Sequence, residues 1–377
     1  MKASALVLAA AVSLVAGGAT PVAAQADPEC FGRSATIVGT DDHDDLVGTN
    51  GDDVIVGLAG RDGIDARGGD DLICAGAGLD GYWKRVRGGS GDDRISGGGG
   101  RDDVRGGPGR DALFGGFEPD ELAGGGGADR LFGGHDNDAL SGGPGDDLLH
   151  GGPDFEGDIV RFPNAQDLRV DLGASLATGS TGSDRLTDVE HAEGSKWSDV
   201  MIGDDGPNYL SSVYSYDDET PVRDVFRGLG GDDFIRPDDV DARVLVLAGS
   251  GADYVSGEGG GRYFGGPGDD WIDVYYAQAP VAAYGGAGND YVSGSDVELQ
   301  LAGGPGNDGV WGGDKDDKLS GGHGHDDVGG MAGDDAIEGG AGDDELYGDK
   351  GRDRLDGGDG DDACADAVKY AGCEREE

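Results

Sequence analysis

The feature that most constrains this chain is a nine-residue period. From Gly88 to His150 it reads GGSGDDRIS GGGGRDDVR GGPGRDALF GGFEPDELA GGGGADRLF GGHDNDALS GGPGDDLLH, seven units without a gap. Each unit opens Gly-Gly, its sixth residue is Asp, and its eighth is Ile, Val or Leu. A similar register returns from Gly303 to Ala365 for seven more units. One such unit cannot bury its apolar residue alone. Stacking of successive units can, which makes the chain a solenoid.

The residue types within a unit follow from backbone physics. Six residues form a tight turn, and Gly accepts the positive φ that such a turn demands. Three residues of strand follow, with side chains alternating between faces. Position 8 therefore points inward and positions 7 and 9 outward. Ile95, Val104, Leu113, Leu122, Leu131, Leu140 and Leu149 should stack in apolar columns. The Asp at position 6 sits where turn meets strand, so stacking brings carboxylates and turn carbonyls together. Hard oxygen ligands of this kind suit Ca²⁺.

The motif GGxGxDxUx, with U a large apolar residue, resembles the RTX or haemolysin-type calcium-binding repeat, and the resemblance covers most of the chain after residue 38. It implies an all-β fold, a parallel β-roll (a β-solenoid) in which two nonamers make one turn and calcium lies between turns at both edges. The side-chain ligands expected are Asp44, Asp53, Asp62, Asp71 and Asp80 in a looser leading block. In the first regular block they are Asp93, Asp102, Asp111, Asp120, Asp129, Asp138 and Asp147. In the second they are Asp308, Asp317, Asp326, Asp335, Asp344, Asp353 and Asp362.

Composition supports a thin roll. Gly and Pro number 81 and 13 of 377 residues, and only 36% of the chain is apolar. The net charge of −49 would drive a compact metal-free state apart. No basic patch offers a nucleic-acid surface. Met1 to Ala26 reads as a secretory signal, with Lys2, an apolar run from Ala3 to Ala16 and Ala24-Gln25-Ala26 as the cleavage pattern. No other segment is apolar enough to span a bilayer, so a secreted protein is expected. In that compartment Cys30, Cys74, Cys364 and Cys373 suggest disulfides. Their placement favours Cys30–Cys74 at the front and Cys364–Cys373 at the back, each stapling an end.

Along the chain, residues 27–153 form an N-terminal cap and first calcium roll. Cys30 to Val38 should be a capping strand, and the extra residues Lys84 to Arg87 should bulge from a turn. Residues 154–218 break the period, with strand-like runs at Asp158 to Phe162 and Leu168 to Leu172 and a weaker one at Leu186 to Glu190. This irregular, strand-rich interruption reads as degenerate solenoid, with faint units placing Asp199 and Asn208 at position 6. Ser212 to Asp218 reads as a loop. In residues 219–302, position 6 reads Asp224, Asp233, Val244, Asp253, Arg262, Asp270, Val281, Asp290 and Leu299. Every second unit lacks the ligand from Asp233 onward. Calcium is therefore expected on one edge only, at Asp233, Asp253, Asp270 and Asp290, with apolar packing opposite. Residues 303–365 restore both edges, and residues 366–377 form a cap and a frayed tail.

Tyr254, Trp271 and Tyr291 occupy outward position 7 of the ligand-bearing units, one turn apart. Such a ladder either binds a cell-surface glycan or protein or simply supports neighbouring strands. Enzymatic chemistry is not expected. His323 and His325 lie in a solvated turn, and no nucleophile-elbow motif frames Ser195 beside His191 and Asp184. The reading is a secreted calcium-folded roll with a structural or calcium-sequestering role. The alternative is a calcium-dependent adhesin or glycan-binding module.

Overall fold

A computed structural model describes residues 28–78, 84–213, 222–238, 243–295, 297–366 and 368–376. All regular elements among them are strands. Each coil lays one strand in each of two parallel sheets. Sheet I pairs Val104 with Leu122 and Leu122 with Leu140. Sheet II pairs Ile95 with Leu113, Leu131 and then Leu149. All seven side chains are fully buried, and each contributes roughly 1.5–3 kcal/mol by leaving water. The fold is thus the parallel β-roll that the repeat implied.

Many strands are longer than three residues. Arg94–Gly99 and Ala112–Phe117 run on into the Gly pair of the next unit. Gly suits that continuation because the coils approach closely. Gly107 has φ +123°, and a Cβ on it would lie 1.9 Å from the Gly89 carbonyl oxygen.

Lys84–Arg87 does not bulge. It is a strand of sheet I between Gly63–Asp65 and Asp102–Pro108, with Val86 in register with Ile64 and Val104 and fully buried. A two-sheet stack cannot omit a strand without leaving a hole in its column, and Val86 fills that place. Asp80 lies outside the described residues. So do the signal segment Met1 to Ala26 and most of the loop expected at Ser212 to Asp218.

The interruption joins both sheets. Ile159–Arg161 and His191–Glu193 continue sheet I. In sheet II the chain first lays Leu168–Asp171 beside Asp199–Ile202. It then turns back through Leu176–Gly179, a strand the sequence reading missed, into Gly182–Thr187. That last strand fills the place beside Leu148–His150, pairing Leu149 with Leu186. A three-stranded antiparallel meander is thus spliced into an otherwise parallel sheet.

Beyond it, the position-6 row of sheet II runs Val244, Gly261, Val281, Leu299. The expected Arg262 is one residue out of register: it is exposed, with its guanidinium over Phe264 at 5.0 Å. Gly takes the row position because a Cβ there would meet the Val244 carbonyl oxygen at 2.1 Å. The adjoining column accommodates the buried Tyr263 against Ala283, large facing small, and the Tyr263 hydroxyl donates to the Gly259 carbonyl.

Both ends are stapled as expected, by Cys30–Cys74 and Cys364–Cys373. At the front, Glu29–Cys30 and Arg33–Ser34 form a small antiparallel pair, and Ile37–Val38 begins sheet II. The tail is not frayed. Cys373–Glu376 adds a last strand to sheet I beside Asp362–Ala365, because the disulfide holds it there.

Candidate metal centre

The position-6 carboxylates form two ladders, one along each edge. Each Asp backbone N–H donates to Oδ1 of the row residue in the next coil. On the sheet II edge this links Asp53, Asp71, Asp93, Asp111, Asp129, Asp147 and Asp184 at 2.8–2.9 Å. On the sheet I edge Asp44 bonds to Asp62, and a second run links Asp102, Asp120, Asp138 and Asp158. A longer run goes from Asn208 through Asp233, Asp253, Asp270, Asp290, Asp308, Asp326 and Asp344 to Asp362. Opposite it, Leu299, Asp317, Asp335 and Asp353 are linked likewise.

The second oxygen has no such partner. Asp93, Asp111, Asp129, Asp138, Asp147, Asp233, Asp253, Asp270, Asp290, Asp308, Asp326, Asp335, Asp344 and Asp353 are at most 3% exposed, and their Oδ2 atoms accept no hydrogen bond. Burying an unpaired carboxylate oxygen is costly. Burial, offset in part by the backbone N–H bond, pushes Asp93, Asp111, Asp138, Asp233, Asp270 and Asp335 up to about 7, and neighbouring carboxylates add to the rise where they lie close.

The surroundings supply further oxygens. A Cβ placed on Gly106 would be 2.2 Å from Asp111 Oδ2 and 2.6 Å from the Gly124 carbonyl oxygen of the next coil. At Gly265 the corresponding distances are 2.3 Å to Asp270 Oδ2 and 2.4 Å to the Gly285 carbonyl. Carboxylate and carbonyl oxygens converging around a glycine, with no nitrogen or sulfur donor, suit Ca²⁺.

Not every row residue is left open. Thr40 and Thr49 donate both N–H and hydroxyl to Oδ2 of Asp44 and Asp53, at 2.6–3.0 Å. Ser195 N–H bonds Asp199 Oδ2, Asp204 N–H bonds Asn208 Oδ1, and Gly313 N–H bonds Asp317 Oδ2. In all five turns the second residue lacks a positive φ, whereas Gly89, Gly125 and Gly134 have φ of +113° to +122°. Those three send their N–H to the Gly106, Gly142 and Gly151 carbonyls of the next coil instead. The second residue's φ thus decides whether the carboxylate is capped from within. Asn208 fits this division, since a capped turn needs no negative charge.

The rows also include residues absent from the expected ligand set. Asp158, Glu190, Asp184, Asp199 and Asp224 carry the rows through and just past the interruption. A signal for four of them exists in the sequence: Asp158, Asp184, Asp199 and Asp224 each precede an inward Val, Leu, Met or Phe by two residues. Variable turn lengths hide Asp158 and Asp184 from a search for strict nonamers, whereas the sequence register already places Asp199 and Asp224 at position 6.

Ser195, His191 and Asp184 have separate structural tasks. The Ser195 hydroxyl donates to Asp199, His191 Nδ1 accepts the Tyr209 N–H, and Asp184 accepts the Asp147 N–H. His323 and His325 are exposed, and His325 Nδ1 lies 3.1 Å from both backbone polar atoms of Asp343. Tyr254, Trp271 and Tyr291 are in register and stacked, with centroids 6.2 and 4.1 Å apart. Phe234 and Tyr209 extend the stack at 5.0 and 5.2 Å, and His191 meets Tyr209 edge-on at 6.3 Å.

Comparison with known families agrees with this geometry. The RTX calcium-binding nonapeptide repeat (four copies) matches residues 37–80, 85–113, 114–149, 283–296, 302–337 and 329–363. No curated protein shows significant sequence similarity to the chain.

Proposed function

Since the chain belongs to the RTX calcium-binding nonapeptide-repeat proteins, we propose that it is a secreted scaffold whose folding is driven by Ca²⁺ held between stacked turns. The observation that carries this reading is the double row of buried carboxylates with one oxygen unpartnered. Bound calcium supplies positive charge and coordination at those oxygens. The residues that would hold it are the open row carboxylates, with glycine carbonyls of the adjoining coil. The set is narrower than the sequence reading, because Asp44, Asp53 and Asp317 are already capped. It is also wider, because Asp158 continues the row into the interruption.

The residues themselves align the coils through N–H to Oδ1 bonds, and calcium binding coincides with folding. Extracellular calcium modules bind at about 10⁻⁴–10⁻³ M. A chain with that affinity stays unfolded at cytoplasmic calcium and folds after export. Two disulfides, the signal-like segment Met1 to Ala26 and the family's usual structural role support an extracellular scaffold or calcium store. Far-UV circular dichroism during a calcium titration from a chelated start tests this. A cooperative gain of β signal near millimolar calcium, unmatched by magnesium, is expected. A full β signal in chelator at about pH 8 would refute it.

The second reading, an adhesin or glycan-binding module, is favoured by Tyr254 and Trp271, which remain 40% and 44% exposed within the ring stack. Replacing Tyr254, Trp271 and Tyr291 by Ala should abolish retention on a glycan or cell-surface panel while calcium-dependent folding persists. An inert wild-type chain on the same panels would remove this reading.

A further inference from the structure

Among the described residues, one acidic cluster is unlike the nonapeptide turns. In a regular unit the row Asp follows the first Gly by five residues, as Asp147 follows Gly142. In the unit opening at Gly151, Asp158 takes the row place seven residues on, and the enlarged turn includes Asp154. The next row residue is Glu190, whose Oε2 accepts the Asp158 N–H at 3.0 Å. One ligand oxygen from each of Asp154, Asp158 and Glu190 lies within 4.8 Å of the others.

We propose that Asp154, Asp158 and Glu190 form a divalent-cation site, selective for Ca²⁺, in this enlarged turn, where the sheet I row gains a third carboxylate. The cluster does not stand on its acidity alone. Asp158 is completely buried, with Oδ1 taking the Asp138 N–H at 2.6 Å and Oδ2 accepting no hydrogen bond. A Cβ on Gly151 would lie 2.0 Å from Asp158 Oδ2 and 2.1 Å from the Asp188 carbonyl oxygen, so a fourth oxygen borders the same space.

Protein contacts fix the shape of the folded turn. His191 Nε2 bonds the Glu156 carbonyl at 2.8 Å, and the Glu156 N–H donates to Asn137 Oδ1 at 3.2 Å. Three carboxylates around one ion exceed the two that adjacent coils of a regular row bring together. Affinity for calcium rises with ligand charge and with site rigidity. The site should therefore fill before the regular turns and empty after them. It lies outside the stretches matched by the repeat family, which end at residue 149 and resume at 283.

This inference rests on the calcium-roll reading, but it can fail alone. The test is bound calcium per full-length chain, measured by elemental analysis while chelator buffers lower the free ion, for wild type and for D154N, E190Q and E156Q. Gln at 190 keeps an acceptor for the Asp158 N–H, and Glu156 is an exposed acid of the same turn that stands outside the cluster. Wild type and E156Q should each retain one ion at free calcium about tenfold below that which empties the rest. D154N and E190Q should lose that ion together with the others, with unchanged circular dichroism at saturating calcium.

Release curves of D154N and E190Q that superimpose on wild type overturn the site and leave the roll intact. So does an equal loss in E156Q, or a wild type with no ion held more tightly than the rest. A wild-type chain that binds no calcium at saturation defeats both this site and the function proposed above.

Discussion

The backbone N–H of Asp93 donates to Oδ1 of Asp111 at 2.8 Å, while Asp111 Oδ2 stays buried without a partner. One carboxylate thus serves two purposes. Its first oxygen sets the register of the coil before it, and its second remains for a cation or a proton. The stack is therefore aligned by the same groups that oppose it electrostatically.

That duality fixes a pH dependence. Asp93, Asp111, Asp138, Asp233 and Asp270 are raised to about 7 from an ordinary value of 3.8. A raised folded-state pKa means that the folded chain binds protons more tightly than the unfolded one. The stabilisation from protonation is fully present below about pH 4 and is lost as pH rises through about 7. In chelator, β signal should therefore grow as pH falls from about 8 to 4. With calcium the trend reverses, because protons compete for Oδ2, and the calcium midpoint should rise on acidification. A midpoint that does not change between pH 5 and 8 would contradict the assignment of Oδ2 as ligand.

The capped turns give a paired substitution. D335N removes an open, buried Oδ2, whereas D317N alters one already bonded to the Gly313 N–H. D335N should bind less calcium and lose about 1–3 kcal/mol of stability in calcium. D317N should keep the wild-type calcium content, because its turn is capped like that of the uncharged Asn208, and cost about 1 kcal/mol with or without the ion. Calcium content by elemental analysis and unfolding in denaturant separate the two.

Core substitutions should act independently of calcium. Leu122 is fully buried between Val104 and Leu140. Leu122→Ala should cost about 2–5 kcal/mol at saturating calcium. An exposed position 7 residue such as Glu121 should tolerate Ala within about 0.5 kcal/mol. Equal losses at the two positions would mean that the alternation of faces is misassigned.

The two staples should differ in strength. Cys30–Cys74 closes a 44-residue separation and Cys364–Cys373 a 9-residue one. By chain entropy the first contributes about 4 kcal/mol and the second about 2.5 kcal/mol. Double Ser replacements at each pair, compared by denaturant unfolding in calcium, should rank in that order.

The regular blocks were legible because period, turn chemistry and burial agree there. Position 8 is Ile95, Val104 or Leu113 for the same reason that position 6 is Asp, and each repeat checks the next. Legibility ended where turn length varies. Gly261 displaced Arg262 because its φ and its contact with the Val244 carbonyl exclude a side chain, which no spacing argument weighs. Val86 entered the core from an apparent insertion because the stack needed a strand there. The capping of Asp44, Asp53 and Asp317 depends on the φ of a neighbour four residues away, so identical Asp residues in similar strings have different surroundings.

The three-stranded meander at Leu168–Thr187 has a consequence for how the solenoid assembles. Elsewhere each finished coil is a template for the one after it, and winding proceeds in chain order. At Leu149 the next strand of sheet II to dock is Gly182–Thr187, although Leu168–Asp171 emerges first and lies farther along. Winding from the amino-terminal side must therefore pause until the returning strand arrives. The molecule is two spools joined by a latch, and the second spool can be registered on the first only after that latch has closed.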